Sequence, residues 1–154
     1  MNAEFMREAI RLAAENIDNG GGPFAAVIVK DGQIVARGAN RVTATNDATA
    51  HAEVNAIREA GRALGTFDLD GCEIYTTCEP CPMCLGAIYW AHIKTIYFGN
   101  TQADAEAINF SDKFIYEQFA KPVKDRLIPQ IPLLRDETIK TFEKWANKSD
   151  KKPY

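Results

Sequence analysis

The sequence predicts an α/β protein: a mixed five-stranded sheet between helices, in three α/β/α layers. Three observations carry this. The chain opens with apolar residues at helical spacing. A short Val- and Ile-rich run follows, closed by Asp31-Gly32, a hairpin signal. Beyond it, helical and strand-like segments alternate, which implies parallel neighbours and a sheet covered on both faces.

Phe5, Met6, Ala9, Ile10, Ala13 and Ile17 recur with the period of a helix, which Gly20-Gly21-Gly22-Pro23 ends. Phe24 to Lys30 reads as a strand and Gln33 to Gly38 as its antiparallel return. Arg41 to Thr49 is polar and reads as a loop. Asp47 and Thr49 are candidate caps for a helix from about Ala50 to Leu64. Cys72 to Thr77 is a third strand. Pro80 suits the start of a helix running from near Cys81 to about Ala91. Lys94 to Phe98 is a fourth strand, and Phe110 to Ala120 is helical. Leu127 to Leu134 carries Pro129 and Pro132, so it is an edge strand or an extended segment. Asp136 to Asn147 is a final helix, and a short tail ends in Tyr154.

At 154 residues the chain is expected to form one domain. No apolar run nears the ~20 residues that cross a bilayer, and Met1 to Asn16 has no apolar signal core. A cytoplasmic protein with no membrane partner is therefore expected. The net charge of −3 argues against a long nucleic-acid partner but leaves a small neutral base open as ligand. Lys148 to Lys152 form a basic cluster that reads as a solvated tail.

Three of the four cysteines, Cys78, Cys81 and Cys84, lie within seven residues. In a reducing compartment such spacing points to metal or redox chemistry. Cys81 and Cys84 are three apart, so one helical face presents both sulfurs. His51 opens the preceding helix and completes a set of one imidazole and two thiolates. That set suits zinc, whose catalytic sites leave one position to water. Two helix N-termini aimed at the metal favour deprotonated thiols. Glu53, two residues beyond His51, is placed to move protons rather than to ligate. A purely structural zinc or redox dithiol would leave Glu53 unexplained. Cys78 reads as a buried thiol at a strand end, and Cys72 as packed in the sheet.

His51-Ala52-Glu53 followed by Pro80-Cys81-Pro82-Met83-Cys84 has the H-x-E and P-C-x-x-C spacing of zinc deaminases. On it the chain resembles the cytidine deaminase superfamily, and within that the bacterial-type guanine deaminases. The resemblance spans the chain: Gly22-Pro23-Phe24, the Asn40 loop, Asp47 to Val54, Cys78 to Ala91, Phe110-Ser111-Asp112 to Tyr116, and Lys152-Pro153-Tyr154. It implies a cytidine-deaminase-like fold with one zinc per subunit. It also implies that Asn40 hydrogen-bonds the base, that Phe24, Ala52 and Trp90 line the pocket, and that Asp112 assists Glu53. Tyr154 would close the site from a C-terminal segment, about 136–154, exchanged between the subunits of a homodimer. Read from the residues alone, Asn40 also suits a turn, Phe24 and Trp90 a core, and Asp112 a helix cap.

The activity implied is hydrolytic deamination of guanine to xanthine and ammonia, a step of purine catabolism. The shared core motif leaves guanosine, cytosine and tRNA adenosine open as substrates. A zinc-stabilised binding module is the non-enzyme alternative.

Overall fold

The computed structural model describes residues 1–154 and divides into two compact units, Met1–Lys113 and Phe114–Tyr154. Helix α1 (Ala3–Asp18) begins where Asn2 caps it, its side chain accepting from the Glu4 amide. It buries Ala9, Ala13 and Asn16, and the small alanines let the helix lie close to the sheet. The expected stripe is rotated slightly: Phe5, Met6 and Leu12 pack inward, whereas Ile10 and Ile17 are exposed.

Strands β1 (Ala25–Lys30) and β2 (Gln33–Ala39) pair antiparallel across Asp31 and Gly32, both at positive φ. That is the backbone the tight hairpin turn requires. The polar stretch after β2 contains a one-turn helix, α2 (Val42–Thr45), where a loop was expected. Helix α3 (Ala52–Leu64) has His51 at its N-cap position, with no side-chain cap hydrogen bond. Asp47 and Thr49 do not cap it. The Asp47 side chain instead accepts from the Thr49 amide and hydroxyl, which closes a local turn. Strand β3 (Cys72–Cys78) leads to α4 (Pro82–Trp90), with Cys81 as N-cap. Pro82, not Pro80, occupies the helix start that favours proline. Strand β4 (Thr95–Asn100) follows, and then α5 (Gln102–Ala107), held by a Thr101–Asp104 capping box.

The sheet has four strands in the order β2-β1-β3-β4, one fewer than expected. The fifth fails because residues 127–134 join no strand of the sheet, and Pro129 and Pro132 each lack a ladder donor. The crossover through α3 returns β3 beside β1, antiparallel, while β3 and β4 are parallel. One apolar cluster joins the sheet to α3 and α4 through Ala26, Ile28, Ile74, Ala52, Ala56 and Ile88. The other joins the opposite face to α1 through Val27, Val29 and Tyr75. The three-layer α/β/α arrangement thus holds.

Gly38 sets the distance between β2 and α3. A Cβ there would meet the Ala52 carbonyl at 2.2 Å and the Ala56 amide nitrogen at 2.5 Å. Only glycine permits that approach, and it fixes the end of α3 that carries the site.

Helix α6 (Lys113–Ala120) spans the boundary between the units. The rest of the second unit is a 3-10 turn, an extended proline-containing stretch, and α7 (Arg135–Ala146), which buries none of its residues. No helix is long and apolar enough to cross a membrane.

Candidate active site and metal centre

Two helix starts meet. His51 is the N-cap of α3 and Cys81 the N-cap of α4, each in extended backbone conformation. Cys84 lies three residues on, fully buried. His51 Nδ1 is 3.6 Å from Cys81 Sγ and 3.5 Å from Cys84 Sγ, and the three ligand atoms lie within 4.8 Å of one another. A tetrahedral ion with Zn–S near ~2.3 Å and Zn–N near ~2.05 Å separates sulfur from nitrogen by about 3.6 Å. The donor set therefore fits zinc in both chemistry and spacing.

The electrostatics agree. The Cys84 thiol beside Cys81, and His51 after it, pull the Cys81 thiol well down from its ordinary value. Cys84 is pushed up because it donates to that thiolate and is itself buried. A metal ion bound there would require both thiols deprotonated. His51 is raised by its hydrogen bond to Cys81.

Glu53 projects from the first turn of α3 and is only 6% exposed. Its Oε2 faces Cys84 Sγ at 3.3 Å, and its Oε1 accepts from the Thr76 hydroxyl at 3.3 Å. Burial raises its pKa. The carboxylate sits against the ligand cluster without belonging to it.

Asn40, also buried, follows β2. Its amide donates to the Phe24 carbonyl at 3.0 Å, and its Oδ1 accepts from the Val42 amide at 3.3 Å. Phe24 packs on the core and meets Phe110 edge-on at 5.1 Å. Ala52 is fully buried at the start of α3. Asp112 is partly buried, and its pKa rises by that burial and then by the charges of Cys81 and Glu79. That coupling puts it within electrostatic reach of the cluster. Trp90 ends α4 and is 69% exposed. Tyr154 belongs to the second unit and is 79% exposed.

The other two cysteines stay out of the cluster. Cys78 donates weakly to the Thr101 carbonyl at 3.8 Å, and burial holds its thiol up at about 11. Cys72 is buried in the sheet core.

Two residues escaped sequence reasoning. Asn16 donates from Nδ2 to the carbonyls of Gly22 (2.8 Å) and Asn40 (2.9 Å), tying the segment before β1 and the end of β2 to α1. Its signal was an amide on the buried stripe, three residues after Ala13. Thr76 is the second; its signal was a hydroxyl in an otherwise apolar row of β3.

Residues 1–100 match the model of the cytidine and deoxycytidylate deaminase zinc-binding region. Guanine deaminase of Bacillus subtilis is 51% identical over 156 residues, covering all of both chains. Its X-ray structure superposes with a TM-score of 0.96 over 100% of this chain and 99% of that one. A solved structure holding 2,6-diaminopurine gives a TM-score of 0.68 at 36% identity, over 70% of this chain and 61% of that chain. A tRNA-specific adenosine deaminase of Agrobacterium fabrum is 44% identical over 92 residues, 60% of each chain. Ligand geometry and family match agree, and the chain belongs to the cytidine and deoxycytidylate deaminase zinc-binding family.

Proposed function

We propose that this protein hydrolyses guanine to xanthine and ammonia, using one zinc per subunit held by His51, Cys81 and Cys84. The observation that carries the reading is the Glu53 carboxylate, 3.3 Å from Cys84 and outside the ligand set, in a chain similar from end to end to a guanine deaminase. Bound zinc would supply a water whose pKa falls from 15.7 to about 7 and a positive centre for developing negative charge. Glu53 takes a proton from the attacking water and delivers it to the ring nitrogen beside C2. The water oxygen bonds to C2, which becomes tetrahedral. Glu53 carries the proton of the new C2 hydroxyl to the exocyclic amine, the C–N bond breaks to release ammonia, and C2 recovers a carbonyl. Asp112 assists that last transfer.

Asn40 orients the base by hydrogen bonding, and Phe24, Ala52 and Trp90 line its pocket. Tyr154 closes the site from a tail exchanged between the subunits of a homodimer. The support is physical. The second unit leaves Leu127, Ile128, Ile131, Leu133, Phe142 and Trp145 exposed, more apolar surface than a short segment keeps in water. A second copy of the chain would cover it. Four free cysteines suit the reducing cytoplasm.

The deciding experiment follows ammonia release by zinc-loaded protein with guanine, guanosine, cytosine and adenine. Activity confined to guanine supports the reading. Activity on guanosine alone keeps the chemistry and overturns the closed pocket. Silence on every base, with zinc bound, removes it.

A further inference from the structure

Strand β3 sends alternate side chains to opposite faces. Cys72 and Ile74 point to the α3 side, where they pack with Ala52, Ala56 and Ala60. Tyr75 points to the α1 side, and the Thr77 hydroxyl accepts from the Ala25 amide. Thr76 therefore belongs to the apolar row and is only 1% exposed. Valine has the same branched shape, suits a strand equally and brings no polar atom to bury. Packing alone would not choose threonine. Its hydroxyl instead donates to Glu53 Oε1 at 3.3 Å.

Glu53 reaches this point from a different element, the first turn of α3. A glutamate side chain has three rotatable bonds, and a carboxylate with one oxygen untethered samples several orientations. Here one oxygen is anchored on the sheet, which leaves the other toward Cys84 and the ligand cluster. We propose that Thr76 is a positioning residue for Glu53: its hydroxyl fixes one carboxylate oxygen so that the other meets the attacking water. The proposal rests on the reading of Glu53 as the proton carrier. It requires no contact between Thr76 and substrate or metal.

The test uses full-length Thr76→Val and Thr76→Ser beside Glu53→Gln, each loaded with zinc. It reads zinc content, melting temperature, and kcat and KM for guanine separately. Thr76→Val is expected to keep its zinc, its stability and a KM within about twofold, while kcat falls about ten- to a hundred-fold, as misplacement of a catalytic group costs. Thr76→Ser, which restores the hydroxyl, is expected to recover most of kcat. Unchanged kcat in Thr76→Val with Glu53→Gln inactive overturns the positioning role and leaves Glu53 standing. Loss of zinc or of stability in both Thr76 variants makes the residue structural and also overturns it. A fully active Glu53→Gln removes the proton carrier, and the role of Thr76 with it.

Discussion

Glu53 has its two oxygens facing different neighbours, and Glu53→Gln separates charge from shape at that point. The amide fills the same volume and can still accept from Thr76, but it cannot take a proton from water. Turnover is expected to fall by at least about 10²–10⁴-fold, the scale of lost general acid–base catalysis. Zinc content measured by atomic emission is expected to stay at the wild-type level. Asn16 offers a second residue-level test. Asn16→Ala leaves the carbonyls of Gly22 and Asn40 without their side-chain donor, at about 1–3 kcal/mol of stability. KM for guanine should rise more than kcat falls, because the loosened loops carry Phe24 and Asn40. The grouping of His51, Cys81 and Cys84, with Glu53 beside it, was legible in the sequence because few residue types suit such chemistry and their spacing is fixed by helix starts. Asn16 and Thr76 were not, since each acts through a partner 23 or more residues away in sequence.

At the scale of elements, the placement of α3 decides whether the site exists. Gly38→Ala would drive a methyl into the backbone of Ala52 and Ala56. The helix must retreat, at about 1–3 kcal/mol of overpacking. Weaker zinc retention against a chelator is expected with the lower melting temperature, because His51 and Glu53 ride on the displaced end. On the opposite face, Glu8 of α1 bridges Arg11 at 2.9 Å and Arg37 of β2 at 2.7 Å. The hydrogen bonds from Arg11 and Arg37 hold its carboxyl at about 2 instead of 4.5. A depressed folded-state pKa means stability that is present above the unfolded value and lost as pH falls through the folded one. Glu8→Gln is therefore expected to cost at most about 0.5–1 kcal/mol at neutral pH, since the pair is solvent-screened. The deficit should vanish between about pH 5 and about pH 2, read from denaturation midpoints. Helices α1, α3 and α4 were legible from periodicity. The brief α5 was not, although its Thr101-to-Asp104 capping box is written in the sequence. The missing fifth strand shows the converse, an apolar run whose prolines deny it a ladder.

For the molecule as a whole, the first unit has its own core and the second does not, so the proposed dimer would form on the apolar surface of the second unit. The expected outcome is a dimer by light scattering across the accessible concentration range. Glu53→Gln co-expressed with Tyr154→Ala tests the exchange directly. If each tail serves the other subunit, mixed dimers recover turnover, because an intact tail meets an intact site. If each tail serves its own subunit, the mixture remains as inactive as its parents. The residues themselves do not reveal the proposed exchange, because a second copy of the chain leaves no periodicity or spacing in the sequence.

The meeting of two helix starts has a consequence for the unfolded chain. His51 and Cys84 are 33 residues apart, and an ion gripping both ties off the intervening α3, β3 and the turn into α4 as a closed ring. Chain statistics rate such a ring like a disulfide of equal span, worth roughly 3–4 kcal/mol of forfeited disorder. Stripping the metal should then lower the melting temperature even of a variant with no turnover to lose, and restoring the ion should return it. By that measure the centre is a staple as well as a reagent.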